Sequence, residues 1–379
     1  MKSVLGNLVL FLVSVTVALL AAEFAARIFL DPVDYLMPTL VADDFLDHRV
    51  VGHTGAHDAW GFRNREVPSR AEIVCIGDSM TYGVAARARD SWPAELAKMR
   101  GTTTYNMSLG GYGPIQYLYL MRTQAVELHP GIVIVGLYLG NDLVDAYNVV
   151  HSHKNWSSYE TRDLADLPPQ LIYSRRTGKF LGGLRDWLSR RSVLYVLVTQ
   201  LPFFNFVRER ETAGYEGSDT RIEYRDTTHH EIFYLDSRLR PLDLTDPRIN
   251  AGLEITEHVM TDMSSAAKRS AIRLIIAVIP TKERVYGDVL NQAGYLTGSS
   301  GHGGTELLAS ALRDEDTVRE TIVSFLRQQQ IEFVDPLPAL SQGVAQQDLY
   351  PLTDGHPNSA GYRVIASSIA RYLGGGAQP

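Results

Sequence analysis

The fold is decided by residues 73–83, which read Ile73-Val74-Cys75-Ile76-Gly77-Asp78-Ser79-Met80-Thr81-Tyr82-Gly83. The first half is a short apolar run rich in β-branched residues. It ends abruptly in Gly-Asp-Ser, which predicts a buried strand that breaks into a tight turn. The turn would place the Ser79 hydroxyl at the carboxyl end of a strand, where open α/β sheets form their ligand crevices. Because serine is a poor nucleophile without a base, this stretch alone is more typical of a turn serine that caps the next helix.

The composition is that of a globular protein. The chain has 379 residues, of which 45% are hydrophobic and 21% charged, enough for one large domain or two modest ones. Its formal net charge of −7 argues against nucleic acid as a partner. The single cysteine, Cys75, excludes an intramolecular disulfide, and its place in the apolar run predicts a buried core residue.

The amino-terminal segment is apolar. Residues 3–22 carry no charge, and about 20 such residues suffice to cross a bilayer as a helix. Lys2 precedes the run and Glu23 follows it, which favours an inside amino terminus. We therefore predict a transmembrane anchor over residues 1–30 in a single-pass membrane protein whose remaining chain is extracytoplasmic (periplasmic). A cleaved signal peptide, which would give a secreted protein, is the alternative.

The next segment, residues 31–70, has no clear periodicity and is interpreted as a tether that packs on the following domain. Within it, residues 58–64 predict an aromatic turn that docks the tether. The domain itself is predicted over residues 71–375.

An insertion rich in Arg, Asp, Tyr and Ser interrupts this domain at about residues 145–250. Residues 233–236 and 238–242 suggest a short hairpin within it. The amphipathic stretch at 187–206, which begins with Trp187, suggests a core of the insertion's own rather than a second membrane contact.

Strand-like apolar runs alternate with glycine-bearing loops and helix-like segments through the rest of the chain. The predicted strands cover residues 73–77, 103–109, 131–139, 272–279 and 331–334. This rhythm predicts an α/β fold in three layers, with about five parallel strands and right-handed crossovers.

Four features follow predicted strands or precede a helix, and loops at the carboxyl ends of parallel strands share one edge. Ser79 could attack an ester carbonyl once His356 accepts its proton, while Asp354 orients the imidazole. The backbone N–H groups of Ser79 and Gly111 and the side-chain amide of Asn141 could donate to the developing oxyanion.

These features also occur in family order. Gly77-Asp78-Ser79, Asn106 followed by Gly111-Tyr112, Gly140-Asn141-Asp142 and Asp354-x-His356-Pro357-Asn358 resemble the four blocks of the SGNH (GDSL-type) hydrolase superfamily. The resemblance covers about residues 70–142 and 270–373. It implies a flavodoxin-like sheet and an esterase, lipase or acyltransferase that needs no metal.

One departure concerns the spacing of the acid and the base. The common family pattern has two residues between Asp and His, whereas only Gly355 separates Asp354 from His356. The shorter spacing resembles that of membrane-associated SGNH proteins that O-acetylate exopolysaccharide, although there the pair precedes the serine. It leaves a Ser–His dyad open and favours acetyl groups on polysaccharide.

Other polar residues have weaker interpretations. Lys282 or Arg284, after a predicted strand, could bind an anionic substrate group, or could simply begin a solvated helix. Asp78 is interpreted as an acid that stabilises the turn. No pattern completes a metal site around the paired histidines, so we predict no metal and no cofactor; these histidines are His151, His153, His229 and His230.

The sequence therefore favours a membrane-anchored serine esterase that forms an acyl-enzyme on Ser79, acting on acetyl or other O-acyl esters of carbohydrate. An O-acyltransferase that passes the acyl group to polysaccharide would use the same site. A non-catalytic scaffold of the cell envelope is the third hypothesis. The expected partners are an ester substrate and, through the amino-terminal helix, a membrane.

Overall fold

The computed structural model describes residues 2–162, 167, 182–199, 220–235, 240–296 and 304–375. The strands are β1 Leu40–Asp43, β2 Asp47–Val50, β3 Ile73–Gly77, β4 Thr104–Ser108, β5 Ile132–Tyr138, β6 Arg221–Arg225, β7 His230–Tyr234, β8 Arg273–Ile279 and β9 Glu332–Val334. The α-helices are α1 Lys2–Phe29, α2 Ser79–Tyr82, α3 Trp92–Arg100, α4 Pro114–Arg122, α5 Asp142–Ser152, α6 Gly182–Ser189, α7 Val193–Thr199, α8 Pro247–Arg269, α9 Lys282–Val285, α10 Gly287–Gln292, α11 Thr305–Gln328, α12 Leu337–Val344 and α13 Ser359–Leu373.

The central sheet has five strands in the order β4-β3-β5-β8-β9. All four pairings are parallel, and Ile73 of β3 pairs with Thr104 on one side and Ile132 on the other. This is the strand order of flavodoxin-like doubly wound sheets. The predicted fold class and all five predicted strands are confirmed.

Side chains of the sheet alternate between two hydrophobic layers because successive strand residues point to opposite faces. In β3, Val74 and Ile76 join the layer that contains helices α4, α5 and α8. Ile73 and Cys75 join the layer that contains α3 and α13. Cys75 is fully buried, as predicted.

Helix α1 is apolar over Val4–Phe29, and by length and composition it is a candidate membrane span or signal sequence. Its carboxyl-terminal end contacts the insertion: the Glu23 carboxylate accepts the backbone N–H groups of Val193 and Leu194 at 3.0 and 2.9 Å. These groups are the otherwise unpaired donors at the start of α7.

The tether contains regular structure that the sequence pattern did not indicate. Strands β1 and β2 pair as an antiparallel hairpin. The aromatic turn docks as expected: the rings of Trp60 and Phe62 meet Tyr105 of β4 edge-on, and Asp58 accepts the Tyr105 hydroxyl at 2.7 Å. The tether therefore packs directly beside the strand that follows β3 in the chain.

The hairpin of the insertion is not where we predicted it. Strands β6 and β7 pair around a turn in which Asp226 accepts the backbone N–H groups of Thr228 and His229. Side chains of β6 alternate between exposed and buried, and this alternation together with the Asx-type turn sets the pairing of β6 with β7. The hairpin therefore lies earlier in the chain than the predicted one. Residues 236–239 lie outside the described residues. Trp187 is about half exposed, so it is not part of a core in this region, and residues 200–206 of the predicted stretch lie outside the described residues.

Candidate active site

The turn that carries Ser79, the candidate nucleophile, begins where β3 ends. Helix α2 starts at Ser79, and the Asp78 side chain caps it by accepting the Met80 backbone N–H at 2.9 Å. Gly77 is required here because a Cβ on it would lie 2.1 Å from Thr81 Oγ1. The Gly-Asp-Ser-x-Thr sequence therefore packs one helical turn tightly against the strand end and presents Ser79 at the edge of the sheet.

His356 lies beside Ser79 although 277 residues separate them. Its Nε2 is 2.8 Å from Ser79 Oγ, and its Nδ1 is 2.6 Å from Asp354 Oδ1. The three side chains thus form a continuous hydrogen-bonded line from a carboxylate through an imidazole to a hydroxyl. A neutral imidazole in this line carries its proton on Nδ1 and can accept the serine proton on Nε2.

The short Asp-x-His spacing is accommodated by a local turn. Asp354 Oδ1 also accepts the backbone N–H of His356 at 2.9 Å. In such an Asx-turn the side chain folds back over the residue two positions on. This brings the carboxylate to the imidazole with only one intervening residue.

Two of the three predicted oxyanion donors, Gly111 and Asn141, follow the strands that flank β3, and the third, the Ser79 N–H, follows β3 itself. Gly111, after β4, has a φ of +83°, a conformation that favours glycine. Asn141 lies just before α5, and its amide nitrogen donates to Asp145 Oδ2 at 2.7 Å. Since an amide NH2 has two hydrogens, this bond orients the group and leaves the second N–H for another acceptor.

Buried carboxyl groups cluster around the turn that carries Ser79. Burial raises the pKa of Asp78 to about 6. Burial, together with the neighbouring carboxyls of Asp78 and Asp145, raises the pKa of Asp142 well above its usual range. Asp142 accepts the Tyr138 backbone N–H and the Tyr117 hydroxyl, at 2.9 and 3.0 Å. It therefore ties the end of β5 to the start of α5.

Lys282 does not have the surface position that substrate binding would need. Its side chain is 1% exposed and pairs with the equally buried Glu231 at 2.5 Å. The ammonium also donates to the carbonyl oxygens of Pro351 and Leu352, just before the Asp354–His356 turn. Arg284 pairs with Asp316 on α11 at 2.7 Å. Both basic residues thus have protein partners, and Lys282 anchors the loop that leads to His356.

Sequence reasoning missed a second imidazole near the site. His48 of β2 has its Nε2 3.0 Å from the carbonyl oxygen of Gly110 and its Nδ1 3.0 Å from Asp47 Oδ2. The available signal was weak: a four-residue strand after an aspartate-rich turn, in a segment without longer periodicity.

The paired histidines form other contacts. His153 Nε2 is 3.0 Å from Asp47 Oδ1, and His229 contacts Asp226. Within the part of the chain that the structure describes, no group of three His, Cys, Asp or Glu side chains could hold a metal ion.

Comparisons with known proteins give structural likeness only. No family model and no curated protein matches the sequence. The chain is similar to a protein described as lipolytic, of the G-D-S-L family, from Desulfitobacterium hafniense DCB-2 (13% identity, TM-score 0.39, covering 80% of this chain and 99% of that one). It is also similar to a GDSL-like lipase from Bacteroides thetaiotaomicron VPI-5482 (12%, 0.36, 80% and 87%). A third similar structure is a catalytic mutant of an acetylxylan esterase from Geobacillus stearothermophilus (11%, 0.41, 81% and 96%).

Proposed function

We propose that this protein is a serine esterase of the SGNH type that hydrolyses O-acyl esters through an acyl-Ser79 intermediate. The observation that carries the proposal is the line Ser79 Oγ–His356 Nε2 at 2.8 Å and His356 Nδ1–Asp354 Oδ1 at 2.6 Å. A hydroxyl, an imidazole and a carboxylate in this order are the parts that acyl transfer to serine needs.

In the first step Ser79 Oγ attacks the ester carbonyl carbon while His356 Nε2 takes the hydroxyl proton. The carbonyl oxygen becomes an oxyanion, for which the backbone N–H groups of Ser79 and Gly111 and the Asn141 amide are the proposed donors. When the tetrahedral intermediate collapses, the C–O bond to the alcohol breaks and His356 returns the proton to the leaving oxygen. Asp354 stabilises the imidazolium meanwhile.

In the second step water attacks the acyl-Ser79 carbonyl carbon and gives its proton to His356. Collapse of the second intermediate releases the carboxylic acid and restores the Ser79 hydroxyl. If a sugar hydroxyl replaces water, the product is a new ester and the enzyme is a transferase. We favour hydrolysis, with acetyl esters of carbohydrate as the substrate class that the SGNH resemblance and the Asp-x-His spacing suggest.

We further propose that α1 anchors the catalytic domain to a membrane, with the domain on the extracytoplasmic side. The hydrogen bonds from the α7 backbone to Glu23 support an anchor that stays attached, because the helix end is part of the folded contact.

The test is p-nitrophenyl acetate hydrolysis by the detergent-solubilised full chain. We expect release of p-nitrophenol that disappears in Ser79→Ala and persists in Ser324→Ala, an exposed serine on α11. Equal rates for wild type and Ser79→Ala would contradict the proposal. Adding a sugar acceptor then distinguishes the two products, since a transferase yields acetylated sugar and an esterase yields acetate.

A further inference from the structure

A second histidine–aspartate pair lies next to the Gly110–Gly111 peptide, which also approaches Ser79. It consists of Asp47 and His48 in the tether hairpin. His48 Nδ1 is 3.0 Å from Asp47 Oδ2, and His48 Nε2 is 3.0 Å from the carbonyl oxygen of Gly110. That carbonyl belongs to the peptide whose N–H is on Gly111, the proposed oxyanion donor after β4.

Both partners of the His48 ring are acceptors. The Gly110 carbonyl oxygen cannot donate, and hydrogen bonds from His48 and His153 lower the pKa of Asp47 to about 2, so Asp47 is a carboxylate at neutral pH. Because the Gly110 carbonyl oxygen only accepts, the His48 Nε2 atom must be the donor in this contact. His48, oriented by Asp47, therefore brings a fixed N–H donor to the Gly110 carbonyl.

The Gly110–Gly111 peptide lies between His48 and Ser79. A Cβ on Gly110 would be 3.6 Å from Ser79 Cβ, whereas a Cβ on Gly111 would be 3.2 Å from His48 Cε1. The described residues contain no cis peptide bond, so this peptide is trans and its C=O and N–H point in opposite directions. Because the C=O points to His48, the Gly111 N–H points away from His48.

The strand that carries His48 is itself held in place. The Tyr112 hydroxyl donates to the His48 backbone carbonyl at 2.9 Å, and the two rings lie 5.3 Å apart. The second oxygen of Asp47 contacts His153 of the segment after α5 at 3.0 Å. The pair is thus held by one residue that follows β4 and by another that follows α5.

We propose that His48, held by Asp47, is a positioning residue that fixes the Gly110–Gly111 peptide so that the Gly111 N–H faces the oxyanion formed on Ser79. The hydrogen bond from His48 also polarises the peptide, since a peptide whose C=O accepts a hydrogen bond is a better N–H donor. This inference rests on the proposed esterase function.

The test measures kcat and KM of the full chain for p-nitrophenyl acetate, together with its affinity for phenylboronic acid, which forms a tetrahedral adduct on an active serine. Loss of a complete oxyanion donor lowers kcat about 10²–10³-fold. His48→Leu keeps the Gly111 N–H but removes the hydrogen bond that holds its peptide. We expect this variant to lower kcat about 10–100-fold. Boronate affinity should fall in parallel, and KM should stay within about threefold.

A conservative variant and a control separate positioning from a general effect on folding. His48→Gln keeps an N–H for the Gly110 carbonyl and should recover kcat to within about fivefold of wild type. Asp47→Asn, at a half-exposed side chain, should lower kcat about 3–10-fold without loss of folding. His258→Leu, at an exposed histidine on α8, should match wild type.

The outcomes distinguish this inference from the proposed function. If Ser79→Ala keeps the wild-type rate, both are overturned. If Ser79→Ala is inactive while His48→Leu and Asp47→Asn keep kcat and boronate affinity, only the inference is overturned. It is equally overturned if His48→Gln is as impaired as His48→Leu, or if kcat falls without a change in boronate affinity.

Discussion

Two histidine–aspartate pairs flank the candidate nucleophile, and they resemble each other closely. In the first pair Asp354 contacts Nδ1 of His356 at 2.6 Å, and in the second Asp47 contacts Nδ1 of His48 at 3.0 Å. In both, Nε2 meets an oxygen, at 2.8 and 3.0 Å respectively. The oxygens differ: one is the Ser79 hydroxyl, and the other is the Gly110 carbonyl.

The difference between a hydroxyl and a carbonyl oxygen suggests a different role for each histidine. A hydroxyl can give up its proton, so His356 can alternate between accepting and donating during a reaction cycle. A carbonyl oxygen only accepts, so His48 stays a donor throughout. We therefore propose proton transfer at the His356–Asp354 pair and a fixed hydrogen bond at the His48–Asp47 pair.

The strongest test of the difference between His356 and His48 is to give both residues the same substitution. Glutamine keeps a hydrogen-bond donor and cannot take a proton at neutral pH. We expect His356→Gln to lower kcat about 10⁴–10⁶-fold, whereas His48→Gln should stay within about fivefold of wild type. The measurement is kcat for p-nitrophenyl acetate under identical conditions. Similar losses in the two variants would remove the distinction.

The aspartates provide a second, smaller contrast. Asp354→Asn should lower kcat about 10²–10⁴-fold, because an amide no longer fixes the tautomer or stabilises the imidazolium. Asp47→Asn should lower it about 3–10-fold, since it removes charge from a bond that only positions a peptide. Steady-state kinetics of both variants test this order. A larger loss at Asp47 than at Asp354 would reverse our assignment.

A third prediction concerns how the loop that carries His356 is anchored. Lys282→Met would leave the Glu231 carboxylate buried without its partner and free two loop carbonyl oxygens. We expect the free energy of unfolding to fall by about 3–5 kcal/mol, measured by urea denaturation. The double variant Lys282→Met with Glu231→Leu should recover part of that loss. No destabilisation in the single variant would exclude the anchoring role.

A fourth prediction uses a carboxyl group that has no imidazole partner. Glu315 is fully buried and accepts the Thr281 backbone N–H at 2.8 Å and the Thr281 hydroxyl. Burial raises its pKa from 4.5 to about 7. Between these values the folded state binds the proton and the unfolded state does not, so stability falls as pH rises from about 4.5 to about 7.

Glu315→Gln removes that titration. The difference in the free energy of unfolding between wild type and variant should therefore shift by about 3 kcal/mol against wild type over this pH range. Urea denaturation at pH 4.5, 5.5, 6.5 and 7.5 measures it. A pH-independent difference would show that Glu315 does not change its protonation there.

The sheet could be predicted because its signals are local. The apolar runs that became β3, β4, β5, β8 and β9 are bounded by glycine-bearing loops, and a parallel sheet brings the following loops to one edge. Ser79 and His356 were found together because each lies at a motif on that edge. Their distance in the chain did not matter once the topology was fixed.

The features that the sequence did not predict correctly depend on tertiary contacts. Nothing in the tether sequence indicates that His48 reaches the Gly110 carbonyl, because a four-residue strand carries almost no periodicity. Lys282 comes directly after a strand, a position typical of substrate-binding residues. It is nevertheless buried, because it forms an ion pair with Glu231 of the insertion. Such pairs are set by packing between distant segments, which one sequence does not reveal.

The central claim, that Ser79 is a nucleophile activated by His356, is tested most directly by covalent labelling. The full chain is treated with a fluorophosphonate and its intact mass is measured over time. We predict one adduct on wild type and on His48→Gln, none on Ser79→Ala, and greatly slowed labelling of His356→Gln. An adduct that persists in Ser79→Ala, or a folded wild type that never reacts, would contradict the account.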